Sequence, residues 1–148
     1  MLLLRFCVKE DTYAINAEKV IEVIPFVRLQ AIAKAPKYIA GVFNFRDVSV
    51  PVIDLCFLLK NSHCNNHFST RIVLIEYLMD KGNKHVLGML AEQVTETFKS
   101  DANDMISSGV TIKNAPYLEK VVLQDKEVIQ FIDVKNLLPK SVQSMLFR

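Results

Sequence analysis

The run RIVLIEYL at residues 71–78 limits what this chain can fold into more than any other stretch. Ile72, Val73, Leu74 and Ile75 are consecutive and apolar, three of them β-branched, in a segment too short for a typical helix. Read as a strand, the run points Val73 and Ile75 to one side and Ile72 and Leu74 to the other. Both sets need burial, so a packed core must lie on each face. A sheet with one solvated face cannot supply that. The segment KHVLGML at 84–90 follows across MDKGN, whose glycine suits a hairpin loop, so this strand pairs with its sequence neighbour.

The rest of the chain repeats the theme in short strands. Residues 2–8 alternate loosely, and Thr12 to Ile15 make a second strand after the turn-like KED. Asn16 is placed to cap a helix over 17–24, with Val20, Ile21, Val23 and Ile24 on one side and Pro25 as its stop. AKAPKYIAGVFNF opens from a loop into a strand, and EQVTETF alternates Val94, Glu96 and Phe98 as a strand exposed on one face. DANDMI reads as one helical turn capped by Asp101, and KVVLQDKEVIQFIDV as a hairpin turning at Asp125 and Lys126. The tail VKNLLPKSVQSMLFR holds a helical turn, a break at Leu138–Pro139 and a final amphipathic helix. Many short strands at regular spacing predict a mainly β fold of barrel or sandwich type. At 148 residues the chain suits one domain, or two small subdomains sharing a core.

Composition excludes several function classes. A formal charge of +2 with scattered Lys and Arg argues against a nucleic-acid partner. The start, MLLLRFCVKED, is interrupted at Arg5 and followed by charges instead of a small-residue cleavage site, so it does not read as a signal peptide. No stretch is long and apolar enough for direct membrane insertion, and the expected location is cytoplasmic. The three cysteines, Cys7, Cys56 and Cys64, have no framework spacing, which speaks against a secreted disulfide scaffold; Cys7 reads as a small buried hydrophobe. No nucleophile motif or metalloprotease helix is present, and four glycines leave little from which to build a phosphate cradle. The chain therefore reads as a non-enzyme without a cofactor.

Four segments carry a family resemblance: YAINAEKVIEVI, IAGVFNFRDVSVPVIDL, VLGMLAEQV and VIQFIDVKNLL. In order and spacing they resemble CheW-like proteins, the adaptors of bacterial chemotaxis. The most specific block is G-V-x-N-x-R-G-x-x-x-P-V-x-D-L, present at 41–55 with Asp47 in place of the second glycine. The resemblance implies two SH3-like five-stranded β-barrels with a few short helices and a short C-terminal helix. One subdomain would cover about 10–77, the other about 84–139 plus the N-terminal strand 2–8. It also implies an adaptor that binds chemoreceptor signalling tips and the regulatory domain of the histidine kinase CheA, joining membrane receptor arrays through these partners. Arg46, Glu22 and Val23 align with receptor-contact positions. Asn44 to Asp47 fits a type I turn, with Asn44 at its first position and Asp47 at a left-handed bulge residue, where its carboxylate can pair with Arg46 in solvent. Asp54 is expected to organise the turn into Leu55 by accepting backbone amides, and Gly41 and Pro51 to serve backbone geometry.

One cluster lies outside the family pattern. Cys56, His63, Cys64 and His67 offer thiol and imidazole ligands of the kind zinc accepts, though no pair has a recognised zinc spacing, and the segment reads as an exposed loop. His63 can also lower the pKa of Cys64. A second reading therefore stands beside the adaptor: a divergent module of the same fold, acting outside the array as a metal or thiol sensor through this loop. Exposed edge strands permit self-association in either case.

Overall fold

Local hairpins build the structure, a computed structural model that describes residues 1–65, 68–79, 82–109 and 113–147. In chain order the first strands are β1 (Leu2–Val8), β2 (Asp11–Asn16), β3 (Val20–Pro25), β4 (Ile39–Phe45) and β5 (Val48–Asp54), followed by helix α1 (Leu55–Lys60). Then come β6 (Arg71–Leu78), β7 (Lys84–Ala91), β8 (Gln93–Lys99), β9 (Met105–Ser107), β10 (Lys120–Gln124), β11 (Glu127–Phe131) and helix α2 (Lys140–Leu146). They form a six-stranded sheet, β8-β1-β2-β11-β10-β9, and a five-stranded sheet, β3-β6-β7-β5-β4. Most neighbours are antiparallel; β2 with β11 and β5 with β7 are the parallel joints. The fold is mainly β, with few and short helices, as expected for two SH3-like subdomains.

Three apolar clusters organise the interior. Val50, Val52, Ile72, Leu74 and Leu90 fill the five-stranded unit, and Leu3, Ala14, Val122 and Ile129 the six-stranded one. The third and largest lies between them: Leu4, Phe6, Val8 and Ile15 from one sheet meet Val73, Ile75, Tyr77 and Met89 from the other. Strand β6 belongs to two clusters at once. Ile72 and Leu74 face the barrel interior, Val73 and Ile75 face the inter-sheet core, and all four are fully buried. The period-2 reading of this run therefore holds in register and in burial. Gly88, opposite Leu74 on β7, completes the packing by having no side chain: a Cβ there would lie 2.9 Å from a methyl of Val52 and 3.0 Å from one of Ile72.

Several expectations need correction. Asn16 does cap a turn, accepting from the Glu18 amide at 3.0 Å, but the turn is 3-10, covers Ala17–Lys19 and gives way to β3. The apolar set assigned to a helix over 17–24 is β-branched and pairs with β6, so tertiary pairing overrides the local pattern. Around Asp101 the turn is likewise 3-10, and the Asp101 carbonyl, not its side chain, receives the Asp104 amide. Helix α1 occupies part of the segment read as loop. Cys7 is half-buried. Sheet membership follows the hairpins. β2 stays in the six-stranded sheet with its hairpin partner β1, and β7 stays in the five-stranded sheet with β6. The hairpin at Asp125 and Lys126, the break before Pro139 and the C-terminal helix lie where the sequence places them.

Because Ile75 sits wholly inside the largest cluster, Ile75→Ala is expected to cost about 2–5 kcal/mol. Urea titration measures this as a lower midpoint at unchanged slope; a loss well under 1 kcal/mol contradicts the two-sided burial of β6.

Candidate functional site

The first feature is the tip of the β4–β5 hairpin. Phe45 pairs with Val48, so the turn has two central residues, Arg46 and Asp47, with φ of 50° and 67°. Two successive left-handed residues define a type I′ turn, and the expected type I turn with a bulge at Asp47 is not formed. The primed turn wins because its twist matches the right-handed twist of the strands it joins. Asn44 supports it from outside, accepting from the Asp47 amide at 3.1 Å. Gly41, at the other end of the block, has φ of 149° and a backbone so close to Gln30 that a Cβ would lie 2.6 Å from its carbonyl oxygen. That contact lets Gln30 and Val42 exchange two backbone hydrogen bonds and pins the 26–38 connection to β4.

The turn carries Arg46 across to the edge strand β3. Its guanidinium donates to the Glu22 carboxylate at 2.8 Å and lies 4.7 Å from the centre of the Phe45 ring. The pairing expected with Asp47 is thus made with Glu22, twenty-four positions earlier in the chain. Both side chains are substantially exposed, so the ion pair contributes at most about 1 kcal/mol to stability. Near it in the chain are apolar side chains that the fold leaves in solvent: Ile21 and Val23 on β3 and Val48 after the turn, between 37% and 47% exposed. Ile21 and Val48 also line a shallow groove of about 310 Å³ that runs past His85 to Phe147. The structure therefore brings Arg46 to Glu22, with Val23 next to Glu22 on the same strand. A charged pair with exposed apolar side chains near it is suited to binding a protein, since the rim sets orientation and the apolar area supplies affinity.

The second feature is centred on Asp54, which is 3% exposed. One carboxylate oxygen caps α1 by accepting from the Phe57 amide at 3.1 Å; the other lies 3.2 Å from the Cys64 amide and 3.1 Å from His63 Nδ1. Cys56 and Cys64 are joined by a disulfide. Two members of the zinc-type set thus have no thiolate to offer in this state, and His67 lies outside the described residues. Glu92 holds the same loop from the other side, accepting from the amides of Lys9 and Asn65 at 2.9 and 3.0 Å. Lys60, at the end of α1, bonds Asp11, and that hydrogen bond raises its pKa above the usual lysine value. Sequence reading found Asp54 but missed the disulfide and Glu92. The eight-residue spacing around a helical turn was the available signal for the pairing, masked by the odd cysteine count.

Among the described residues every buried side-chain nitrogen and oxygen has a partner. The buried polar groups Asp54 and Glu92 serve backbone amides. This arrangement defines a β scaffold of two sheets around a shared core. The model of the CheW-like domain matches residues 2–142, and the chain belongs to that family, one of scaffolds and adaptors and not of enzymes. It is similar to the chemotaxis protein CheW of Bacillus subtilis (strain 168), 26% identical over 91% of this chain and 85% of the relative. The chemotaxis protein CheW of Helicobacter pylori is 25% identical over 91% of this chain and 79% of its own length. The crystal structure of the scaffolding protein TtCheW from Thermoanaerobacter tengcongensis superposes with a TM-score of 0.81 at 25% identity, over 95% of this chain and 89% of that one.

Two substitutions test the local geometry. Asp47→Gly removes a side chain from a left-handed position and is expected to raise stability by about 1 kcal/mol; a loss of stability contradicts the type I′ turn. Asp54→Ala uncaps α1 and strands the Cys64 amide, together costing about 2–4 kcal/mol by denaturant titration.

Proposed function

We propose that this protein is a chemotaxis coupling adaptor that joins the cytoplasmic signalling tip of chemoreceptors to the regulatory domain of a CheA-type histidine kinase. It acts in the cytoplasm, at receptor arrays reached through these partners. The observation that carries the reading is the exposed Arg46–Glu22 pair at the β3 edge, where Ile21 and Val23 are also exposed, on a chain matched to the CheW-like domain over residues 2–142. The receptor tip docks on Ile21, Val23 and the Arg46–Glu22 pair. The kinase domain binds elsewhere on the barrels.

The physics of coupling follows from this division. An adaptor supplies no chemical step; it lowers the cost of bringing two partners together by holding both in fixed relative positions. The shared core between the two sheets supplies that fixity, because movement of one sheet against the other would expose Val73, Ile75 and Met89. Specificity at the receptor face comes from charge. Arg46 and Glu22 neutralise each other in the free protein, and a partner presenting its own acid–base pair exchanges with them without leaving a charge unpaired.

Binding of purified receptor-tip and kinase-domain fragments, measured by calorimetry, tests the assignment. Arg46→Glu places two carboxylates together and is expected to weaken receptor binding at least tenfold, about 1.4 kcal/mol, while kinase binding stays unchanged. The double exchange Glu22→Arg with Arg46→Glu restores the pair and shows whether the charge or its position matters. If the single variant binds receptor like the parent protein, the hairpin tip is not the docking site.

A further inference from the structure

We propose that Cys64 is a site of covalent modification by small thiols that carry carboxylates, with Cys56 as the resolving thiol. Asymmetry in the disulfide is the first observation. Cys56 is fully buried in the inter-sheet core, whereas Cys64 is partly exposed and lines a cavity of about 480 Å³. The composition of that cavity is the second. Phe26, Leu29 and Leu90 supply apolar wall, Arg28 supplies a cation, His63 lines it with its Nδ1 turned to Asp54 at 3.1 Å, and among the described residues lining it none is Asp or Glu. A small acidic thiol is the ligand such a cavity suits: its carboxylates meet Arg28 while its sulfur reaches Cys64.

The third observation concerns what holds the loop. The Cys64 amide bonds Asp54, the Asn65 amide bonds Glu92, and the Lys9 ammonium bonds the His63 carbonyl at 2.8 Å. These contacts do not involve sulfur, so none of them depends on the disulfide itself. The exchange is then a substitution at one atom. The incoming thiolate attacks Cys64 Sγ, forming the new sulfur–sulfur bond as the bond to Cys56 breaks. Cys56 leaves with the electron pair and takes a proton from solvent, giving one mixed disulfide and one thiol with no external oxidant or reductant. The reverse attack by Cys56 on Cys64 expels the modifier and restores the original bond. This assignment is independent of the adaptor reading.

The full-length protein incubated with excess reduced glutathione, quenched in acid and mapped by peptide mass spectrometry, tests the proposal. The expected result is glutathione on Cys64 with Cys56 free. Arg28→Glu should slow this adduct several-fold while leaving the rate with uncharged 2-mercaptoethanol unchanged. Cys56→Ser, which keeps the Cys64 thiol but lacks the resolving one, should take glutathione from its oxidised form and retain it. Glutathione appearing first on Cys56, or only on Cys7, overturns the site. Equal slowing of both thiols by Arg28→Glu, or of neither, overturns the role of the cavity. Should Cys56→Ser fail to fold, the Arg28 comparison on the native disulfide decides the question alone.

Discussion

The structure depends on the two-sided burial of β6. One strand supplies the interior of the five-stranded unit with Ile72 and Leu74 and the inter-sheet core with Val73 and Ile75. A small barrel alone buries little apolar area per residue and is marginal on that account. By sharing a strand between an internal core and an external one, the chain makes two small units into one cooperative body. Strand β1 plays the matching part in the other sheet, with Leu3 inward and Leu4, Phe6 and Val8 toward the shared core. Residues at the end of the chain, among them Leu137, Leu138, Val142 and Phe147, close the shared core.

With the interior so committed, function is left to the edges. β3 and β4 end the five-stranded sheet, and Ile21 and Val23 on β3 remain in solvent. Glu22 lies between them in sequence and, by strand alternation, is directed to the opposite face from Val23. The β4–β5 turn then brings Arg46 to that carboxylate. A stable pair of barrels would not require any of these exposed groups.

The loop after α1 follows a different logic. Asp54 ends β5, caps α1, accepts the Cys64 amide and contacts His63. A buried carboxylate is costly unless its oxygens are satisfied, and here they are satisfied by the loop they organise. The disulfide adds a covalent tie between the same two segments, with one sulfur sealed in the core and the other facing a cavity. That difference in access is a property of the fold.

Much of this was legible in the sequence, and what was not shares a cause. The bounds of β6, the β10–β11 turn, the helix after Pro139 and the capping role of Asp54 follow from periodicity and local hydrogen bonding, which act over a few residues. The 17–24 segment was misread because its apolar spacing suits a helix, while its pairing with β6, about fifty positions on, could not be seen locally. The turn type at Arg46 and Asp47 escaped because strand twist, a property of the sheet, selects it over residue preference. The sequence by itself determined the strands, most of their turns and the family block at 41–55, since these rest on side-chain alternation and backbone sterics. The tertiary structure alone decided that Arg46 meets Glu22, that Cys56 meets Cys64 and that β2 and β7 stay with their hairpin partners. Contacts between residues distant in the chain depend on how sheets pack, and no local pattern encodes that.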